Sequence, residues 1–79
     1  MSNAVSFVKN DIMDFFRRKN SRSGAILPSA FFHKQYSRYN PKQQEAFDQA
    51  VRELVTDRLL EKRDDSLYLT HKGEDEIYQ

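Results

Sequence analysis

Leu59-Leu60-Glu61-Lys62-Arg63-Asp64-Asp65-Ser66-Leu67-Tyr68-Leu69-Thr70-His71-Lys72-Gly73 decides the fold, because the apolar period changes within it. Before Leu60 apolar residues recur at helical spacing; after it they alternate, with Leu67 and Leu69 on one side and Tyr68 on the other. Asp64-Asp65 is a turn-forming pair, though a weaker signal than Asp-Gly, so Leu60–Arg63 and Ser66–Thr70 read as a β-hairpin. Thr70 is placed to N-cap a final short helix, His71 to Tyr78, whose Ile77 and Tyr78 return to the core. Gly73 falls early in that helix, where it destabilises less than in the middle.

Upstream of the hairpin, Asn40-Pro41 is the clearest helix start in the chain. Asn40 at N-cap, Pro41 at N1 and Gln43 at N3 form a variant capping box. The helix that follows carries Phe47, Ala50, Val51, Leu54 and Val55 on one face and should end near Asp57 or Arg58. Before it, Phe32, Tyr36 and Tyr39 share a face of a helix from about Ser29 to Tyr36 or a little beyond, with Pro28 suited to its first turn. Ala25-Ile26-Leu27, bounded by Gly24 and Pro28, reads as a short strand. Val5, Val8, Ile12, Phe15 and Phe16 place a first helix over about Ala4 to Arg18, capped by Ser2 or Asn3. Arg17-Arg18-Lys19 complements its dipole, and Asn20-Ser21-Arg22-Ser23-Gly24 breaks it. The Met1-Ser-Asn-Ala opening is read as native.

At 79 residues the chain has room for one domain, residues 1–79, which buries only about 60% of its unfolded surface and so needs nearly every large apolar side chain for one core. The longest apolar run, Ala25-Ile26-Leu27, is far short of the roughly 20 residues that cross a bilayer. No signal-peptide h-region is legible. These features predict a cytoplasmic protein with no membrane contact. Without cysteine there is no disulfide framework or thiolate nucleophile. His33 and His71 lie on different elements with no metal-ligand spacing, and two distant glycines make no phosphate loop. No enzyme, metal or cofactor is expected. The formal charge of +1 conceals an asymmetry: residues 1–44 hold eight bases and two acids, residues 45–79 five bases and ten acids. Such asymmetry marks a polyanion-binding face, a complementary partner or solvation.

The order helix, strand, helix, helix, strand, strand, short helix, a mainly α chain with a small β-hairpin, resembles the winged-helix family of helix-turn-helix domains. The likeness is carried by Phe47-x-x-Ala50-Val51-x-x-Leu54-Val55 running into Leu59-Leu60, and by Tyr68-Leu69-Thr70-His71-Lys72-Gly73, similar to the close of many winged-helix regulators. It covers about Ala4 to Tyr78. Where many relatives have glycine after the third helix, this chain has Asp57-Arg58, so that helix is expected to run longer or to end without a left-handed cap.

The resemblance implies a DNA-binding transcriptional regulator. Its third helix would enter the major groove, with the second helix on phosphates and the wing on a neighbouring groove. Opposite Phe47 on the helical wheel lie Glu45, Gln49, Arg52 and Thr56, flanked by Lys42, Asp48 and Glu53. Lys42, Gln49 and Arg52 are candidate base readers, and His33, Lys34, Arg38, Lys62 and Arg63 candidate phosphate contacts. The three acids on that face and the neutral tip Lys62-Arg63-Asp64-Asp65 oppose phosphate binding. An exposed Asp48–Arg52 pair is the plainer expectation for the third helix. Two readings therefore stand: duplex DNA bound by a dimer, or a protein-interaction module whose acidic third-helix and wing face meets a basic partner or another copy's basic half. The aromatic run Phe31 to Tyr39 is expected in the core rather than as a base-stacking platform, with Phe31 left partly exposed. Phe31 and Phe7, which lies off the first helix's stripe, are the candidate partner or dimer contacts.

Overall fold

Val8, Ile12 and Phe16 recur every four residues and are wholly buried, as an amphipathic helix requires. The structure, a computed structural model, describes residues 3–79. Ser2 and the side chain of Asn3, read as caps of the first helix, lie outside the described residues. In chain order the elements are α1 (Asn3–Arg18), α2 (Ser29–Arg38), α3 (Pro41–Thr56), β1 (Leu60–Arg63), β2 (Ser66–Leu69) and α4 (His71–Ile77). Val5 and Met13 join the buried stripe of α1, while Phe15 is half-buried at its edge. α3 packs along α1 through Ala46, Phe47, Ala50 and Leu54.

α3 starts where Asn40-Pro41 predicts. The Asn40 side chain accepts from the Gln43 amide at 2.8 Å, and the Gln43 side chain accepts from the Asn40 amide at 3.0 Å. Gln44 reaches back to the Tyr36 and Tyr39 carbonyls, satisfying the end of α2. Pro28 is the extended N-cap of α2 rather than its first helical residue, and makes no side-chain cap.

The end of α3 differs from expectation. Arg58 stands in the left-handed region at φ 63°, the Leu59 amide donates to the Leu54 carbonyl at 2.9 Å and the Arg58 amide to Val55 at 3.0 Å. That is a Schellman cap built without glycine. α1 closes the same way on Asn20, at φ 51°, with the Ser21 amide donating to the Phe16 carbonyl. The tight return after α3 places Leu60 in the core at the start of β1.

β1 and β2 pair antiparallel, Leu60 opposite Leu69 and Arg63 opposite Ser66. Asp64 and Asp65 both adopt left-handed angles, 48° and 65°, the signature of a type I′ two-residue turn. The expected strand at Ala25-Ile26-Leu27 contracts to a single bridge, Ile26 to Tyr68. It is flanked by hydrogen bonds from the Gly24 amide to Leu69, the Leu27 amide to Leu67 and the Leu69 amide to Ala25. Gly24 on one side and Pro28 on the other stop the pairing from growing. In α4, Ile77 returns to the core but Tyr78 stays exposed, its hydroxyl donating to the Ser21 carbonyl at 2.8 Å.

Thr70 and Gly73 tie the end of the hairpin to the end of α3. The Thr70 hydroxyl accepts from the Gly73 amide at 2.9 Å and directs its own proton at the Arg58 and Leu59 carbonyls. Gly73 is buried against that same Leu59 carbonyl, where a Cβ would overlap the oxygen.

Aromatic rings join the three long helices. Edge-to-face contacts form a relay in which Phe16 meets Phe15, Phe15 meets Phe31, Phe31 meets Phe32, Phe32 meets Phe47 and Phe47 meets Tyr36. Tyr39 bridges Phe47 and Phe7. Phe31, expected to be partly exposed, is only 6% exposed, because its ring lies 4.9 Å from that of Phe15 on α1. It is therefore not a surface contact. Tyr36, expected in the core, is 44% exposed. The helix is rotated so that Phe31 and Gln35 face α1 while Phe32 faces α3.

Candidate functional site

The outward side of α3 carries Lys42, Glu45, Asp48, Gln49, Arg52 and Thr56, all exposed, as the wheel predicts. Their partners were not legible. Lys9 of α1 reaches across to Glu53 at 3.0 Å, and Gln49 donates to the other Glu53 oxygen at 3.0 Å. The hydrogen bonds from Lys9 and Gln49 hold the Glu53 carboxyl below the usual carboxylate range. The expected Asp48–Arg52 pair does not form: no ion pair joins them among the described residues. On the hairpin, Lys62 is exposed, while Arg63 pairs with Glu61 at 3.3 Å and lies over the Tyr68 ring.

His33, Lys34 and Arg38 sit elsewhere. Together with Arg18 of α1 and Lys19 just beyond its end they line an open groove of about 1000 Å3 between α1 and α2, floored by Phe15, Pro28 and Ala30 over the buried Phe31. No α3 residue lines it. The structure thus separates the two sets of sequence-predicted contacts, Lys42, Gln49 and Arg52 on α3 and Lys34 and Arg38 on the α1 side of α2. Arg18, Lys19, Lys34 and Arg38 have no carboxylate partner within 4 Å among the described residues.

Arg18 and Lys19 belong to the basic run Arg17 to Arg22 that closes α1 and opens the following turn. Folding divides that run. Arg17 bonds Asp14 at 2.7 Å and the Ile77 carbonyl at 3.0 Å, and Arg22 approaches Glu74 at 3.6 Å, so both face α4. Arg18 and Lys19 are left facing α2. The one carboxylate on the groove, Asp11, already accepts from the Tyr39 hydroxyl at 2.7 Å and from Gln35 at 2.8 Å through the same oxygen. Burial, reinforced by the bond to Asp11, pushes the Tyr39 hydroxyl well above the usual tyrosine value.

Phe7 is 50% exposed and meets Tyr39 edge-on at 6.4 Å. It borders a small concavity of about 290 Å3 with Ala4, Asn40, Lys42 and Gln43. Among the described residues no group of three His, Cys, Asp or Glu side chains is placed to hold a metal ion, and no helix is long and apolar enough to cross a membrane. No family model, curated protein or solved structure matches the chain.

Proposed function

We propose that this chain is a small winged-helix-type domain that binds duplex DNA as a transcriptional regulator, with the outward side of α3 in the major groove and the hairpin beside it. The Lys9–Glu53 pair is the observation that carries the reading. Of the three acids Glu45, Asp48 and Glu53 it neutralises Glu53, at the flank of the outward side of α3, leaving Lys42 and Arg52 balanced against Glu45 and Asp48. A balanced face is repelled far less by phosphate than a negative one. The element order and the Ile26 bridge to β2 support the same reading. Arg52 and Lys42 would contact bases or phosphates, and Gln49, having given one amide hydrogen to Glu53, keeps an oxygen and a hydrogen for adenine.

The test is a low-salt duplex titration followed residue by residue. Shifts centred on α3, and about tenfold weaker binding in Arg52→Ala or Lys42→Ala, are the expected result. Absence of any shift or mobility change with duplex would overturn it. One feature favours the alternative, a protein-interaction module without DNA affinity. The Asp64-Asp65 tip is exposed and has no cationic partner among the described residues. Salt-sensitive self-association in sedimentation, with no DNA binding, would select that reading.

A further inference from the structure

We infer that the α1–α2 groove is a separate docking site for an acidic amphipathic segment of a partner protein, one apolar stripe on the groove floor and carboxylates on its two banks. The floor is apolar, made by half-buried Phe15 and Pro28 and exposed Ala30 over the buried Phe31 ring, whereas Arg18 at the end of α1 and Lys19 just beyond it rise on one side and Lys34 and Arg38 of α2 on the other. Folding has already matched neighbouring cations to acids, Arg17 to Asp14 and Arg22 to Glu74. The four rim cations are unmatched by carboxylates within the described residues, outnumbering the one acid of the lining, Asp11, which Tyr39 and Gln35 hold through one oxygen. A ligand that supplies carboxylates on both sides of an apolar ridge satisfies the four cations and the apolar floor together.

Nucleic acid fits the groove less well. Base stacking needs open ring faces, but Phe31 is buried and Phe15 is enclosed between Phe16 and Phe31 by edge-to-face packing at 5.6 and 4.9 Å. A duplex would reach only the rim and leave the apolar floor wet. A third helix laid between α1 and α2 covers the floor, and long Lys and Arg stems pack beside it while their charged heads meet its flanking acids.

The full chain is titrated with a peptide of about 14 residues that has leucines on one helical stripe and glutamates elsewhere. A scrambled peptide of the same composition and single- and double-stranded oligonucleotides serve as competitors. Saturable binding is expected, with shifts centred on Phe15, Phe31, Lys34 and Arg38. Affinity should fall about tenfold, equivalent to 1.4 kcal/mol, in either Arg18→Glu or Arg38→Glu. Both sites are exposed, so the fold should persist. Lys34→Gln provides a second variant should a reversal disturb it. Arg52→Ala, which tests the DNA reading, should leave peptide binding unchanged. No saturable binding, equal binding of the scrambled peptide, or displacement of the peptide from these residues by either oligonucleotide would overturn the assignment.

Discussion

Gly73 is held by space and not by backbone angle. A Cβ at this position would overlap the Leu59 carbonyl oxygen and come within 2.7 Å of Leu69 Cδ1, so either α4 or the end of α3 would have to move. Overpacking of this kind costs about 1–3 kcal/mol, and chemical denaturation of Gly73→Ala should show a loss in that range with the m-value unchanged. Arg58 poses the reverse case. Its left-handed angle costs a non-glycine residue about 1–2 kcal/mol, and the side chain is exposed with no salt bridge among the described residues. Arg58→Gly should therefore raise the unfolding free energy by up to about 1 kcal/mol, part of the relief being offset by the greater freedom of glycine in the unfolded chain. A loss of stability on the same denaturation curve would show that the Arg58 side chain contributes packing that its exposure conceals.

Between elements, the contact most exposed to pH is the one that fastens α2 to α1. The Tyr39 hydroxyl donates to Asp11, and its folded-state value is raised above the usual one, by burial first and by Asp11 second. A raised value means that the folded protein holds the proton more tightly than the unfolded chain. The associated stability is therefore complete below the unfolded value of about 10 and lost as pH rises beyond it. Thermal melts should fall more steeply above about pH 10 in the native chain than in Tyr39→Phe, which at neutral pH loses about 1 kcal/mol for the missing hydrogen bond. The capping box of α3 and the Thr70 cap of α4 were legible because each is a few adjacent residues acting on their own backbone. The rotation of α2 was not. Phe31 and Phe32 are equally apolar, and which of them is enclosed depends on α1 and α3 competing for one short helix. For the same reason the α1–α2 groove was invisible along the chain. Arg18 and Arg38 are brought together by a loop whose course is fixed by the Ile26 bridge to a strand far downstream.

Across the whole molecule, the basic and acidic halves of the chain are joined through few ion pairs among the described residues. Lys9–Glu53 and Arg22–Glu74 cross between them, and both involve exposed or half-exposed side chains, for which about 0–1 kcal/mol is the usual worth. The core is a different matter. Phe16, Ile12, Leu54, Leu60 and Leu69 are fully buried and come from α1, α3, β1 and β2, so each truncation is felt by every layer at once. Phe16→Ala should cost about 3–5 kcal/mol, against a total of roughly 4–12 kcal/mol for a chain of this length, and should leave calorimetry with a weak transition or none. Added salt should act on binding instead of folding. Raising ionic strength to about 0.5 M shortens the screening length to a few ångströms, which weakens the two cross-half pairs only slightly. The same salt removes most of the attraction that the unmatched Arg18, Lys19, Lys34 and Arg38 exert on an acidic ligand. The unfolding free energy should then shift by less than about 1 kcal/mol while peptide affinity at the groove drops severalfold. An equal fall in both would mean that the charge asymmetry is used to hold the halves together, leaving little of it to recruit a partner.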